Sequence, residues 1–138
     1  MKSSINHKAV IVSAIIYQVV GFIWYQVIFS SLWQGASGVS TTDIETMGAS
    51  PHIIALVGAF IFAYVFAYLQ SKLNNNLKTG LFVILLLWIG VTLPDSIPHY
   101  TFLSIPNTVL ILDTLHTLVA MLAAGSIILI WKKKQTIN

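Results

Sequence analysis

The sequence predicts an all-α fold: a bundle of four transmembrane helices, both termini on the cytoplasmic side, with a short interfacial helix in the first outer loop. Three observations carry this. Hydrophobic residues make up 57% of the 138 and charged residues only 8%, about a third of the charged share of a soluble domain. Apolar runs at about 9–29, 52–71, 78–93 and 107–131 approach or exceed the roughly 20 residues that cross a bilayer. All seven lysines fall within 1–8, within 72–78 or after 131, and the stretches 30–51 and 95–106 hold none. Positive charge stays in the cytoplasm, so the termini and the 72–78 turn are placed inside and the two lysine-free loops outside. The whole chain, 1–138, reads as one integral membrane domain.

Taken in order, the first run is uncharged over 9–29 and longer than the apolar core of a secretory signal. Gln34-Gly35-Ala36 is a poor cleavage match, so a retained first helix is expected. In the loop that follows, Thr42-Asp-Ile-Glu45 has the form of a capping box and predicts a turn of interfacial helix near 43–47. Ser50-Pro51 offers a cap and a first-turn proline for the second helix. Lys72 to Lys78 reads as a tight polar turn. The third helix is expected to stop at Pro94, with Pro94, Pro98 and Pro106 keeping the second outer loop irregular. Asn107 is read as the cap of the fourth helix, which Trp131 and the lysines after it close. Trp33, Tyr100 and Trp131 fall where an aromatic belt is expected.

Composition also removes several classes of function. With no cysteine there is no disulfide framework, thiolate metal site or cysteine nucleophile. All seven basic residues are lysines, so no guanidinium clamp is available. The net charge of +3 belongs to the flanks of apolar spans rather than to a nucleic-acid-binding patch. No nucleophile elbow, phosphate loop, dinucleotide fingerprint or HExxH motif occurs.

What remains is polar chemistry inside the helices. Asp113 and His116 stand three residues apart within the fourth run, about 60° apart on one helical face. Ionisable groups at membrane depth are costly and mark functional-site candidates. In the first helix Ala14, Gln18, Gly21 and Tyr25 form one stripe. At about 1.5 Å per residue, Gln18 shares a depth with His116, and Tyr25 with Asp113. Thr92 and Asp95 climb toward the same outer half on the third helix. His52, His99, His116 and Asp113 are the candidate ligands for a metal, since imidazole and carboxylate suit zinc, copper, nickel or non-haem iron. On the second helix Ala55, Ala59, Ala63 and Ala67 recur every fourth residue, a spacing that lets helix backbones approach closely in lipid. That stripe is read as helix packing and as the ground for expecting a homo-oligomer.

Gly21, Trp24 and Tyr25, followed by Phe29 and Trp33, begin a pattern. It continues through Leu87-Trp88-Ile-Gly90 and Pro94 and ends with Asp113, His116, Gly125 and Trp131. Over about 8–131 the chain thereby resembles the small four-helix bacterial integral membrane proteins grouped as a domain of unknown function. The resemblance implies the four-helix fold and a bacterial origin, hence the inner membrane, and implies no activity. The proline-punctuated stretch 94–106 departs from the longer apolar or aromatic stretch of such proteins.

Three functions stay open from the residues. One is binding or passage of a small solute or proton through an outward-facing intramembrane pocket lined by Asp113, His116, Gln18, Tyr25, Thr92 and Asp95. A second is a structural or accessory protein whose polar cluster only holds helices together. The third, less favoured, is a membrane-embedded metalloenzyme. The sequence specifies no cofactor, and the lipid bilayer is the one partner it names outright. Asp113→Asn is expected to destabilise a purely structural cluster and to spare the fold of a binding site.

Overall fold

A computed structural model describes residues 5–73 and 76–131. Lys2 and the lysines after Trp131 lie outside these residues, as does the middle of the polar turn before Asn76. The described residues form helices joined by short connections, with no strand among them. Four of the resulting helical segments are long and apolar enough to cross a membrane: His7–Ile28, Ser50–Leu73, Leu77–Phe102 and Asn107–Ile130. The chain is a multi-pass membrane protein with a four-helix bundle.

The first span is helix α1, His7–Phe22, continued by a wider π-helical stretch, Ile23–Ile28. Asn6 caps it by accepting from the backbone of Lys8 and Ala9. Its amide also donates to the Trp131 carbonyl at 2.8 Å, which pins the start of the first span to the end of the fourth. Helix α2, Ser30–Ser37, ends at Gly38 in the left-handed conformation, φ +74°. Helix α3 spans Thr41–Met47 and α4, the second span, Ser50–Leu73.

The cap of α3 differs from the expected one. The capping box joins Ser40 to Asp43, with Asp43 N–H donating to Ser40 Oγ and the Ser40 N–H and hydroxyl donating to the Asp43 carboxylate at 2.8 and 2.6 Å. Because Gly38 has just ended α2, the chain restarts a helix at the first available cap, two residues before Thr42. The Ser40 bonds hold the Asp43 carboxyl below its ordinary range. A carboxyl lowered on folding contributes stability above its unfolded pKa and loses it as pH falls through the lower folded value. Amide exchange in α3, taken relative to the intrinsic rate at each pH, is therefore expected to accelerate once the pH drops below the usual carboxylate range. Ser40→Ala should produce that acceleration at neutral pH, with the cap worth about 1 kcal/mol. Exchange unchanged by both would remove the cap as the organiser of α3.

The third span departs most from expectation. It runs from α5, Leu77–Leu87, capped by Asn76, through a π-helical stretch, Trp88–Thr92, into α6, Leu93–Phe102. The helix therefore passes Pro94 and Pro98 instead of stopping at Leu93. A proline in an α-helix has no N–H to donate and crowds the carbonyl four residues back. The π stretch answers this: Leu93 N–H bonds to the Trp88 carbonyl, five residues back, and Pro94 starts a fresh α segment where its missing donor costs little. Ser104, at φ +55°, then turns the chain toward Pro106. Helix α7, Asn107–Ile130, is the fourth span; Pro106 holds its cap position and Asn107 is its first helical residue.

The fourth span is central and touches all three others. Val10, Ala63, Phe66, Ile84, Met121 and Ile128 form the dense part of the core, near the end that carries Lys8, Lys72 and Lys78. Ala59, Ala63 and Ala67 are buried within the single chain, while Ala55 is exposed beside a cavity. The alanine stripe is thus used inside the bundle, and the ground it offered for self-association goes with it. Ile15, Ile61, Val65, Phe82 and Ile111 form an apolar exterior suited to lipid.

Candidate functional site

At the end away from the lysines the bundle is hollow. The π stretch of the first span and the break at Phe29 carry α2 and α3 across this end. Beneath them lies a cavity of about 370 Å³ between the first, second and fourth spans. It is lined by Gly21, Asp113 and His116, by Gln18 and His52, and by Ile44 and Met47 of α3.

Asp113 is held by three neutral donors from three separate segments. Tyr25 Oη donates to Oδ1 at 2.7 Å and Trp33 Nε1 to the same oxygen at 3.2 Å; Tyr100 Oη donates to Oδ2 at 2.7 Å. The π stretch is what turns Tyr25 to face the fourth span: Phe29 N–H reaches back to the Trp24 carbonyl at 2.9 Å, and the added residue rotates the side chains around it. The carboxylate therefore ties the first span, α2 and the far end of the third span to α7. Its hydrogen bonds come from these aromatic residues and not from His116, although the two share one face of α7.

His116 is packed among rings. Its centroid lies 4.9 Å from Tyr25, 6.0 Å from Tyr17 and 6.1 Å from Trp24. Nε2 is buried without a hydrogen-bond partner, and so is Trp24 Nε1. A methyl group on Gly21 would come within 3.2 Å of that Nε2, so the glycine is what lets the imidazole lie against the first span. An orphaned buried donor or acceptor costs about 1–3 kcal/mol, and native proteins keep few of them.

The other expected site residues divide. Gln18 lines the cavity and donates to the His52 carbonyl at 3.0 Å. Thr92 and Asp95 sit on the third span outside the cavity wall, and Asp95 is exposed. Of the metal candidates, His99 is exposed and stacked edge-on near Tyr100. Among the described residues no three His, Asp or Glu side chains converge on a point that could hold a metal ion. Two partners of Asp113, Trp33 and Tyr100, were read from sequence as belt aromatics. The signal that could have separated them is the polarity of their rims, since a Trp N–H and a Tyr O–H near a buried acid both need acceptors.

A family model described as "Protein of unknown function (DUF1761)" matches residues 8–129. Neither a curated protein nor a solved structure matches the chain.

Proposed function

Since the chain belongs to the DUF1761 family of proteins of unknown function, we propose a role from the site itself: a small-molecule binding protein of the bacterial cytoplasmic membrane. Its pocket is the cavity in the outward half. Asp113 holds the walls, and His116 with Gln18 meets the ligand. The observation that carries this is a cavity of about 370 Å³ whose wall brings together Asp113, His116 and Gln18. That volume is at the lower end of small-molecule pockets, roughly 300–1,000 Å³. A cytoplasmic location of both termini is supported by Lys8, Lys72 and Lys78 at one end, with Asp43, Glu45 and Asp95 toward the other.

A purely structural role draws support from Asp113, whose bonds account for both of its oxygens, but it leaves His116 without a purpose. The experiment is native mass spectrometry of the full chain, extracted with its own lipids, on wild type and His116→Leu. A small molecule held by wild type and lost from an equally stable variant is the expected result. Leucine removes an orphaned polar atom, so stability should hold or rise by about 1 kcal/mol. An empty wild type together with a destabilised variant would leave only the structural role.

A further inference from the structure

We propose that the ligand class of this pocket is the lipophilic organic cation: an ammonium or phosphonium centre carried in an apolar body. The inference rests on the binding reading above and adds the charge and shape of what is bound. Asp113 is the one acid in the cavity wall, and no lysine or arginine lines it. Its three hydrogen-bond donors are all neutral. As a carboxylate it therefore has its hydrogen bonds satisfied and its charge unmatched by any cation among the described residues.

Around that charge the wall is aromatic. Tyr25 and Trp33 meet edge-on with centroids 5.5 Å apart, Tyr25 lies 4.9 Å from His116, and Tyr17 lies 6.0 Å from His116. Ring faces attract a poorly hydrated cation, and the attraction grows when water is excluded. A hydrated metal ion would need several ligands to replace its water, and Asp113 is the one carboxylate that lines the cavity. An anion would meet a carboxylate with no compensating charge. A cation whose charge is spread over an apolar surface needs only rings and a nearby negative charge.

The remaining walls suit the body of such a molecule. Val39, Ile44, Met47 and Pro51 are apolar, and methionine adapts its shape to irregular partners. Phe22 and Ala55, exposed on the first and second spans, border the cavity, so the mouth is flanked by residues that face lipid. An amphiphile that partitions into the bilayer reaches the site from there.

Tetraphenylphosphonium and tetraphenylborate have nearly one shape and opposite charge, and uncharged tetraphenylsilane completes the series. Binding of each to the full chain in nonionic detergent, corrected for uptake by empty micelles, reads the preference. The phosphonium is expected to bind at least about tenfold more tightly than the other two, a ratio that corresponds to about 1.4 kcal/mol. Asp113→Asn keeps an acceptor for Tyr25 and Trp33 and should fold while losing most of that ratio. Tyr17→Leu, which touches none of the Asp113 bonds, should reduce the ratio without removing it. Displacement of the phosphonium by a choline-headed lysolipid would identify a lipid headgroup as the source of the cation; displacement only by a free alkylamine would identify a solute. Equal binding of all three probes would overturn the charge preference and leave the pocket standing. Binding of none, with an empty wild type in native mass spectrometry, would remove both.

Discussion

Asp113→Ala is expected to destabilise the bundle by at least about 3 kcal/mol, because three part-buried donors lose their acceptor at once and each orphan costs about 1–3 kcal/mol. Asp113→Asn is expected to cost only about 1 kcal/mol. The amide oxygen can still accept from Tyr25 and Trp33. The amide nitrogen then faces Tyr100, whose hydroxyl accepts as readily as it donates. What asparagine loses is the greater strength of bonds to a charged acceptor, together with a place for its second N–H. Equilibrium unfolding of the three proteins in mixed detergent measures both differences. Equal stability of the alanine variant and wild type would mean that Tyr25, Trp33 and Tyr100 find other partners, and Asp113 would no longer count as a joint between helices. The large gap between alanine and asparagine separates the hydrogen-bonding role of this residue from its charge, so Asn can test ligand binding in a folded protein.

That separation could not be made from the sequence. Spacing put Asp113 and His116 on one face, and depth counting matched Tyr25 to Asp113, as the 2.7 Å bond between them shows. The helices were legible for a simple reason: length and hydropathy are summed over about twenty residues, and single exceptions do not change the sum. What could not be read depended on single backbone bonds. The π stretches Ile23–Ile28 and Trp88–Thr92 have no compositional signature, yet one turns Tyr25 to the site and the other carries the third span past Pro94. Tyr100 reaches Asp113 only because the helix continues to Phe102. A chain broken at Pro94 would give no reason to place it there. Trp33 was hidden for a different reason, since an aromatic at a helix end fits the membrane-belt pattern whether or not its N–H has a buried acceptor. His116 shows the reverse case. Its place inside the bundle was legible, but the absence of a partner for Nε2 is a fact of packing that no spacing encodes.

The second large effect lies at the other end of the bundle, where the third and fourth spans approach through reciprocal glycines. A methyl group on Gly125 would lie 2.3 Å from Ile84 Cδ1 and 3.1 Å from Phe66 Cε1; one on Gly80 would lie 2.3 Å from Leu129 Cδ2. Each glycine receives a branched side chain from the opposite span, the close approach that substitutes in lipid for a hydrophobic driving force between helices. A clash with the tip of a flexible side chain can be cheap when the tip has somewhere to go. Ile84 and Phe66 do not, at 0% and 1% exposure. Gly125→Ala is therefore expected to cost about 1–3 kcal/mol, the usual range for overpacking, and Gly125→Val more. Shortening the obstructing side chain should recover part of this loss. Ile84→Val alone opens a gap worth about 0.5–1.5 kcal/mol, but combined with Gly125→Ala it makes room for the new methyl. The double variant should then be more stable than the sum of the two single effects allows, by about 1 kcal/mol, which a double-mutant cycle measures directly. Strict additivity would mean that the spans separate rather than repack, and the glycines would then be spacers instead of sockets. Recovery would establish that this end of the bundle is held by shape, as the cavity end is held by the bonds to Asp113.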